Sequence, residues 1–194
     1  MATTDSTAPR GYHHGDLRHA ILAAALDVIR SEGPGALSLR DLARRAGVSH
    51  AAPAHHFKDR AGLLTAIAAE GHDLLAEAVA EADGLREAGV GYVRFATRHP
   101  AHFQVMFQPE LYRADDPDLV AAKDRSTREL RAAVAQLGAD PELAGVAAWS
   151  LAHGFATLLL THNLERAVGD GDPEDVFRVL AEISFTPPSG RTPE

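Results

Sequence analysis

SLRDLARRAGVSHAAPAHHF, residues Ser38 to Phe57, reads as two short helices around a glycine. Ser38 followed three residues later by Asp41 is a serine cap with an acid behind it, the usual opening of a helix. Leu39, Leu42, Ala43 and Ala46 share its apolar side, and Gly47 stops it. Val48-Ser49 leads at once into a second short helix that ends near Phe57. Helices of this length do not persist alone, so they must pack on the helix before and the helix after. A helix-turn-helix of this kind can push its second helix into the major groove while the first spans the backbone. Small side chains at Ala51 and Ala52 suit close approach to base edges and thymine methyls. Arg40, Arg44, Lys58 and Arg60 surround the unit where phosphates would lie. The same string also arises in helical bundles that bind no DNA, and the pattern alone leaves both readings open.

On either side the chain continues as helix. Leu17, Ala20, Ile21, Ala24, Ala25, Val28 and Ile29 form one face of a helix capped by Asp16 and ended by Gly33-Pro34-Gly35. Asp59 caps a long helix carrying Leu63, Leu64, Ile67, Leu74, Leu75 and Val79, which ends near Gly84. Further helices are expected over Leu85–His99, from Pro100 to Phe107 and over Asp118–Leu137. Asp140-Pro141-Glu142 and Asp172-Pro173-Glu174 each combine a cap, a proline at the first helical position and an acid in the first turn. They open helices running to about Asn163 and through Ile183. No alternating strand pattern of useful length is present. The expected fold is all-α: a flexible arm over 1–12, a helix-turn-helix domain over 13–58, a larger helical ligand-binding and dimerisation domain over 59–185, and a disordered tail over 186–194.

Composition narrows the function classes. The 194 residues are 45% hydrophobic and 24% charged, an ordinary globular balance. The absence of cysteine excludes disulfides, iron–sulfur clusters and thiolate zinc sites. Residues Met1 to Arg10 have no signal-peptide character, and His153 and His162 interrupt the most apolar segment, so the expectation is a cytoplasmic protein with no membrane span. The net charge of −8 is unevenly placed. The first sixty residues hold 8 Lys and Arg against 6 Asp and Glu, leaving 11 against 21 in the rest, and six of the 11 histidines also lie in those sixty. One part could approach phosphate while the other repels it.

The stretch YHHGDLRHAILAAALDVIRSEGPGALSLRDLARRAGVSHAAPAHHFKDRAGLLTAIA resembles the N-terminal domain of TetR-family regulators throughout. Ala46-Gly47-Val48-Ser49 matches the family's turn, and His56-Phe57, Arg60 and Leu63-Leu64 match its ending. The resemblance implies a recognition helix over Ser49–His56. It places His50, Ala51, Ala52 and His55 where the family meets bases, and Arg40 where some members also reach one. His56 and Arg60 fall at backbone-contact positions. Two departures stand out: Ala54 replaces the family's usual phosphate-contacting tyrosine, and Pro53 lies inside the recognition helix. GYVRFATRHPAHFQVMF (Gly91–Phe107) and AWSLAHGFATLLL (Ala148–Leu160) resemble the family's C-terminal domain with a Trp…His-Gly signature, here Trp149, His153 and Gly154.

The aromatic stripe of Tyr92, Phe95, Phe103, Met106, Phe107, Trp149 and Phe155 fits a core. By the resemblance, some of it lines an apolar ligand cavity, with His153, Trp149 and His99 or Arg98 as polar anchors. His99, His102, His153 and a carboxylate are conceivable metal ligands, but no recognised ligand spacing is present. Adjacent histidines such as His55-His56 point to different sides of a helix and chelate poorly. His153-Gly154 lies mid-helix with no Gly-x-Ser-x-Gly turn elsewhere, so no catalysis, metal or cofactor is expected. The resemblance implies a homodimer through 141–163 and 173–185, double-stranded operator DNA and an unidentified small-molecule effector as partners. The implied function is a repressor released from a palindrome by that effector. The alternative is a helical small-molecule-binding protein or enzyme with a relic helix-turn-helix; a third reading keeps DNA binding but makes the protein an activator.

Overall fold

The computed structural model describes residues 14–80, 82–135, 140–169 and 171–185. The expected arm over 1–12, the tail over 186–194 and the helix end at Leu137 lie outside them. Among the described residues the chain is helical and has no strand, so it is all-α. Its compact units divide between Leu63 and Leu64, inside the fourth helix.

The first unit contains α1 (His14–Glu32), α2 (Leu39–Arg45), α3 (Ala52–Phe57) and the start of α4 (Arg60–Ala80). Ile21, Leu22, Ala25, Val28 and Ile29 of α1 are buried with Leu37, Leu42, Ala43 and Phe57. Ala20, expected on that face, is exposed, and Leu22 takes its place. Asp16, expected as the cap, falls within the first turn because α1 begins at His14. Gly33 ends α1 at φ 81°, its N–H donating to the Ile29 carbonyl at 2.9 Å. The Arg18 guanidinium lies 5.4 Å from the centre of the Phe57 ring, a cation–π contact that covers one side of this small core.

The second unit holds the rest of α4, then α5 (Gly84–Arg98), α6 (Pro100–Met106), α7 (Pro117–Val134), α8 (Pro141–Leu160), the short α9 (Glu165–Val168) and α10 (Pro173–Phe185). α5 is its central element, packed by α6, α7, α8 and α10. Its sequence suits that place, since Ala88, Val90, Tyr92, Val93, Phe95 and Ala96 are buried around most of its circumference. Gly91 allows the close approach of α5 to α4: a Cβ there would run into the Ala78 carbonyl oxygen. Asp140 accepts from the N–H groups of Glu142 and Leu143 at 3.0 and 3.4 Å, and Asp172 from Glu174 at 2.8 Å. Both Asp-Pro-Glu starts therefore work as helix caps. α8 ends at Leu160 rather than Asn163, where the chain turns through His162 at φ 60°.

Glu142–Leu160 is long and apolar enough to cross a membrane, with a mean hydropathy of 1.6. The expectation that histidines break this segment does not hold, because a single uncharged imidazole lowers the average too little. Only 17% of that stretch is buried within the chain.

Candidate functional site

The turn between α2 and α3 is specified by Gly47. At φ 66° its N–H donates to the Arg44 carbonyl at 3.3 Å, while Val48 N–H donates to the Ala43 carbonyl at 3.0 Å. This pair of bonds is the Schellman closure, which needs a left-handed residue after the helix. Ser38 stands at the N-cap of α2 in extended conformation, but its side chain makes no capping bond. The Asp41 carboxylate is drawn instead to Arg44 at 2.5 Å and Arg45 at 2.6 Å, whose hydrogen bonds hold it below the usual carboxylate range.

α3 starts at Ala52, three residues later than the expected Ser49. The cause is Pro53, which has no N–H to give and therefore settles in the first turn of the helix. Ser49, His50 and Ala51 thus belong to the exposed approach to the helix. Ala52 corrects a second expectation: it is buried beside Pro53 and Phe57, facing the core rather than outward. Ala54 and His55 form the exposed face instead, with His56 half-buried against it. The rings of His55 and His56 meet edge-on at 5.4 Å.

Among the expected phosphate contacts, Arg40 and Lys58 are exposed. Arg44 is committed to Asp41 by its three-residue spacing on the helix, and Arg60 donates to the Pro34 carbonyl at 2.6 Å. Arg60 therefore ties the start of α4 to the turn after α1. Arg45, shared between Asp41 and Glu32, adds a similar tie from α2 to α1.

The second unit has a half-open cavity of about 790 Å³. Its wall is largely apolar: Leu75, Leu85, Ala88, Tyr92, Phe107, Leu130, Val134, Trp149, Ala152, Phe177 and Phe185 among others. Exposed Thr127, Arg131, Glu142, Val146 and Trp149 mark the side where α7 and α8 meet solvent. Of the residues expected to line a pocket, Tyr92, Phe107 and Trp149 are in this wall. His153, Phe103 and Met106 are not. His153 lies behind the wall, its Nδ1 2.9 Å from the Tyr92 hydroxyl and its ring stacked on Phe103. Burial pushes the His153 pKa down and the Tyr92 pKa up, so this is a hydrogen bond between two neutral groups. Phe103 and Met106 are buried among core side chains.

Phe95 and His99 border a different hollow, of about 600 Å³, beside Glu77, Asp83, Glu87, Arg94 and Arg98. Burial lowers the His99 pKa. His99 and His102 meet edge-on at 5.7 Å, while His153 is engaged elsewhere. Among the described residues no three His, Asp or Glu side chains are placed to hold a metal ion.

Polar cavity residues were missed by sequence reasoning. His72 and Ser126 line the cavity, with His72 Nδ1 3.0 Å from Ser126 Oγ. They lie on different helices and share no motif, so only the fold brings them together.

Two family descriptions match the chain: "Bacterial regulatory proteins, tetR family" over residues 21–67, and "Tetracyclin repressor-like, C-terminal domain" over residues 85–183. A solved protein of unknown function from Rhodococcus sp. RHA1 is 33% identical, covering 91% of this chain and 96% of its own, with a TM-score of 0.71. The TetR-family transcriptional regulator PfmR from Thermus thermophilus is 23% identical, covering 88% and 99%, with a TM-score of 0.68. AibR, solved with isovaleryl coenzyme A and operator DNA, is 21% identical over 88% and 99%, with a TM-score of 0.63. Among curated proteins none matches.

Proposed function

The chain belongs to the tetR family of bacterial regulatory proteins, and from that premise we propose that it is a DNA-binding repressor, released from a palindromic operator when a small molecule enters the cavity of its second unit. One observation carries the reading. A helix-turn-helix that turns Ser49, His50, Ala51, Ala54 and His55 outward occurs in the same chain as a cavity walled by apolar side chains with few polar groups. The first has the form of a major-groove reader, and the second the composition of a small-molecule site. AibR, a protein of the same fold solved with both an acyl-coenzyme A and operator DNA, supports the pairing. The reading is regulatory rather than catalytic, and places the protein with DNA in the cytoplasm.

Reading a palindrome requires two copies. α8 and α10 leave Leu143, Val146, Trp149, Leu158, Val179 and Ile183 exposed, which is the kind of apolar face a symmetric dimer buries. Operator release then follows from linkage: the effector favours the conformational state with lower operator affinity, in proportion to its preference between the two states.

Fluorescence anisotropy on the DNA upstream of the protein's own gene, beside a scrambled duplex and at several salt concentrations, tests the reading. Palindrome-dependent binding that weakens linearly in log–log salt is expected. Equal binding to scrambled DNA there and across a genome-wide selection of fragments would leave a relic motif.

A further inference from the structure

The segment turned outward by the helix-turn-helix carries hardly any polar side chain except histidine. Residues Ser49 to His56 read SHAAPAHH, with no Arg, Lys, Asn, Gln, Asp or Glu. Those absent side chains are the ones that most often read base edges in the major groove. Ser49, His50, Ala51, Ala54 and His55 are exposed, while Ala52 and Pro53 face the core. The exposed alanines suit thymine methyls, so hydrogen bonds to bases from this segment fall to Ser49, His50 and His55. Among the described residues neither His50 nor His55 makes a hydrogen bond or an ion pair, and His55 meets only the edge of the His56 ring, at 5.4 Å. The charged groups near them come from the elements packed on α3. α2 brings Arg40 and the cluster of Asp41 with Arg44 and Arg45, which also reaches Glu32 of α1. α1 brings Arg18, over the Phe57 ring, and Lys58, Asp59 and Arg60 follow α3, with Asp59 bonded to Gly62 N–H and Arg60 to the Pro34 carbonyl.

Imidazole, unlike guanidinium or ammonium, changes its charge between pH 5 and 8. Neutral, it offers one N–H donor and one acceptor nitrogen; protonated, it offers two donors and no acceptor. The surface met in the major groove favours the second form. Phosphate oxygens only accept, and guanine presents its N7 and O6 acceptors side by side. An imidazolium can donate one N–H to guanine and the other to a phosphate or a bridging water, whereas a neutral ring turns a lone pair toward one of them. We propose that His50 and His55 read guanine as imidazolium rings, so that preference for the operator is linked to proton uptake and declines as pH rises. The proposal rests on the helix-turn-helix being the DNA reader. Because the bound state takes up protons, lower pH favours the specific complex. Exposed Arg40 and Lys58 keep their charge throughout, so contact with phosphates persists where the preference is lost.

The full-length protein is used at pH 6 to select duplexes from a randomised pool, and the enriched sequences should carry guanine. The most enriched duplex and a scrambled version of it are then titrated by fluorescence anisotropy from pH 6 to pH 8 at one ionic strength. The ratio of the two affinities is expected to fall about tenfold or more across that range. His50→Gln and His55→Gln, at exposed positions, keep hydrogen-bonding groups that do not titrate, and the ratio in the double variant should no longer depend on pH. A native ratio that is the same at pH 6 and pH 8, or a double variant that keeps the dependence, would overturn the proposal and leave the DNA-binding reading standing. No enrichment of any duplex would overturn that reading, and the proposal with it. Proton spectra supply a second measurement. The imidazole signals of His50 and His55, assigned by their loss in the variants, should titrate at higher pH with the selected duplex bound than without it, and unmoved midpoints would overturn the proposal.

Discussion

The Asp59 N–H donates to the Phe57 carbonyl at 2.8 Å, closing a three-residue turn around Lys58. Lys58 sits at φ 67° and ψ −59°, a γ-turn conformation that residues with a Cβ rarely adopt. The turn lets α3 stop and α4 begin within two residues, with Asp59 Oδ1 accepting from Gly62 N–H at 2.9 Å. Such a conformation costs about 1–3 kcal/mol. Lys58→Gly should stabilise the protein relative to Lys58→Ala by about 1 kcal/mol. Both lose the same charge, so chemical denaturation of the pair isolates the backbone, and equal midpoints would refute the strain.

Gly47→Ala tests the turn on the other side of the recognition segment. No atom lies within 4 Å of the Cβ it would introduce, so the cost is purely that of φ 66°. A loss of about 1–2 kcal/mol is expected, with Gly47→Asn losing less because asparagine tolerates this region. A neutral alanine would mean that the Schellman closure does not hold the turn.

The paired charges near the helix-turn-helix imply a contrast in DNA binding. Arg40→Ala and Lys58→Ala should weaken operator and scrambled duplex alike, each reducing the salt slope by about one. Arg44→Ala should change the slope less, because Asp41 already neutralises that guanidinium. His55→Ala should alter preference among operator variants more than it alters the slope. Equal slopes for the Arg40 and Arg44 variants would contradict this division.

Arg94 clasps Glu174 through two hydrogen bonds at 2.9 and 2.6 Å, joining α5 to α10. The Arg94 guanidinium holds the Glu174 carboxyl below its ordinary value. A depressed carboxylate stabilises the fold above its unfolded pKa of about 4.3 and loses that contribution as pH falls through the lower folded value. Because the pair is partly exposed to solvent, Glu174→Gln should therefore cost about 0.5–1 kcal/mol at pH 7 and less near pH 3. Unfolding of the two proteins across that range checks the sign.

Ile183 is 74% exposed on α10 and Leu143 is 70% exposed on α8. If a second copy covers this face, Ile183→Asp should convert a dimer into a folded monomer with weakened operator binding. Light scattering at micromolar concentration reads the mass directly. A native protein that is already monomeric would remove the dimer from the mechanism.

Much of this molecule was legible along the chain because helix ends are local chemistry. The caps at Asp59, Asp140 and Asp172 and the stop at Gly47 depend on groups within a few residues. The register of α3 was harder. Pro53 marked an irregularity, but only packing decided that Ala52 faces inward and Ala54 outward.

The cavity belonged to tertiary structure. Periodicity identifies an apolar side, yet cannot tell a residue against a void from one against a neighbour. That is why Tyr92, Phe107 and Trp149 line the space while Phe103 and Met106 fill the core beside it. His72 and Ser126 are 54 residues apart, and neither is conspicuous by itself. The sequence by itself determined an all-helical chain of this family with a glycine-specified turn, because those features rest on short-range hydrogen bonds and side-chain size. Only the packing of α4 against α7 decided which nitrogen of His72 would meet Ser126, because hydrogen-bond satisfaction depends on what the fold brings within 3 Å.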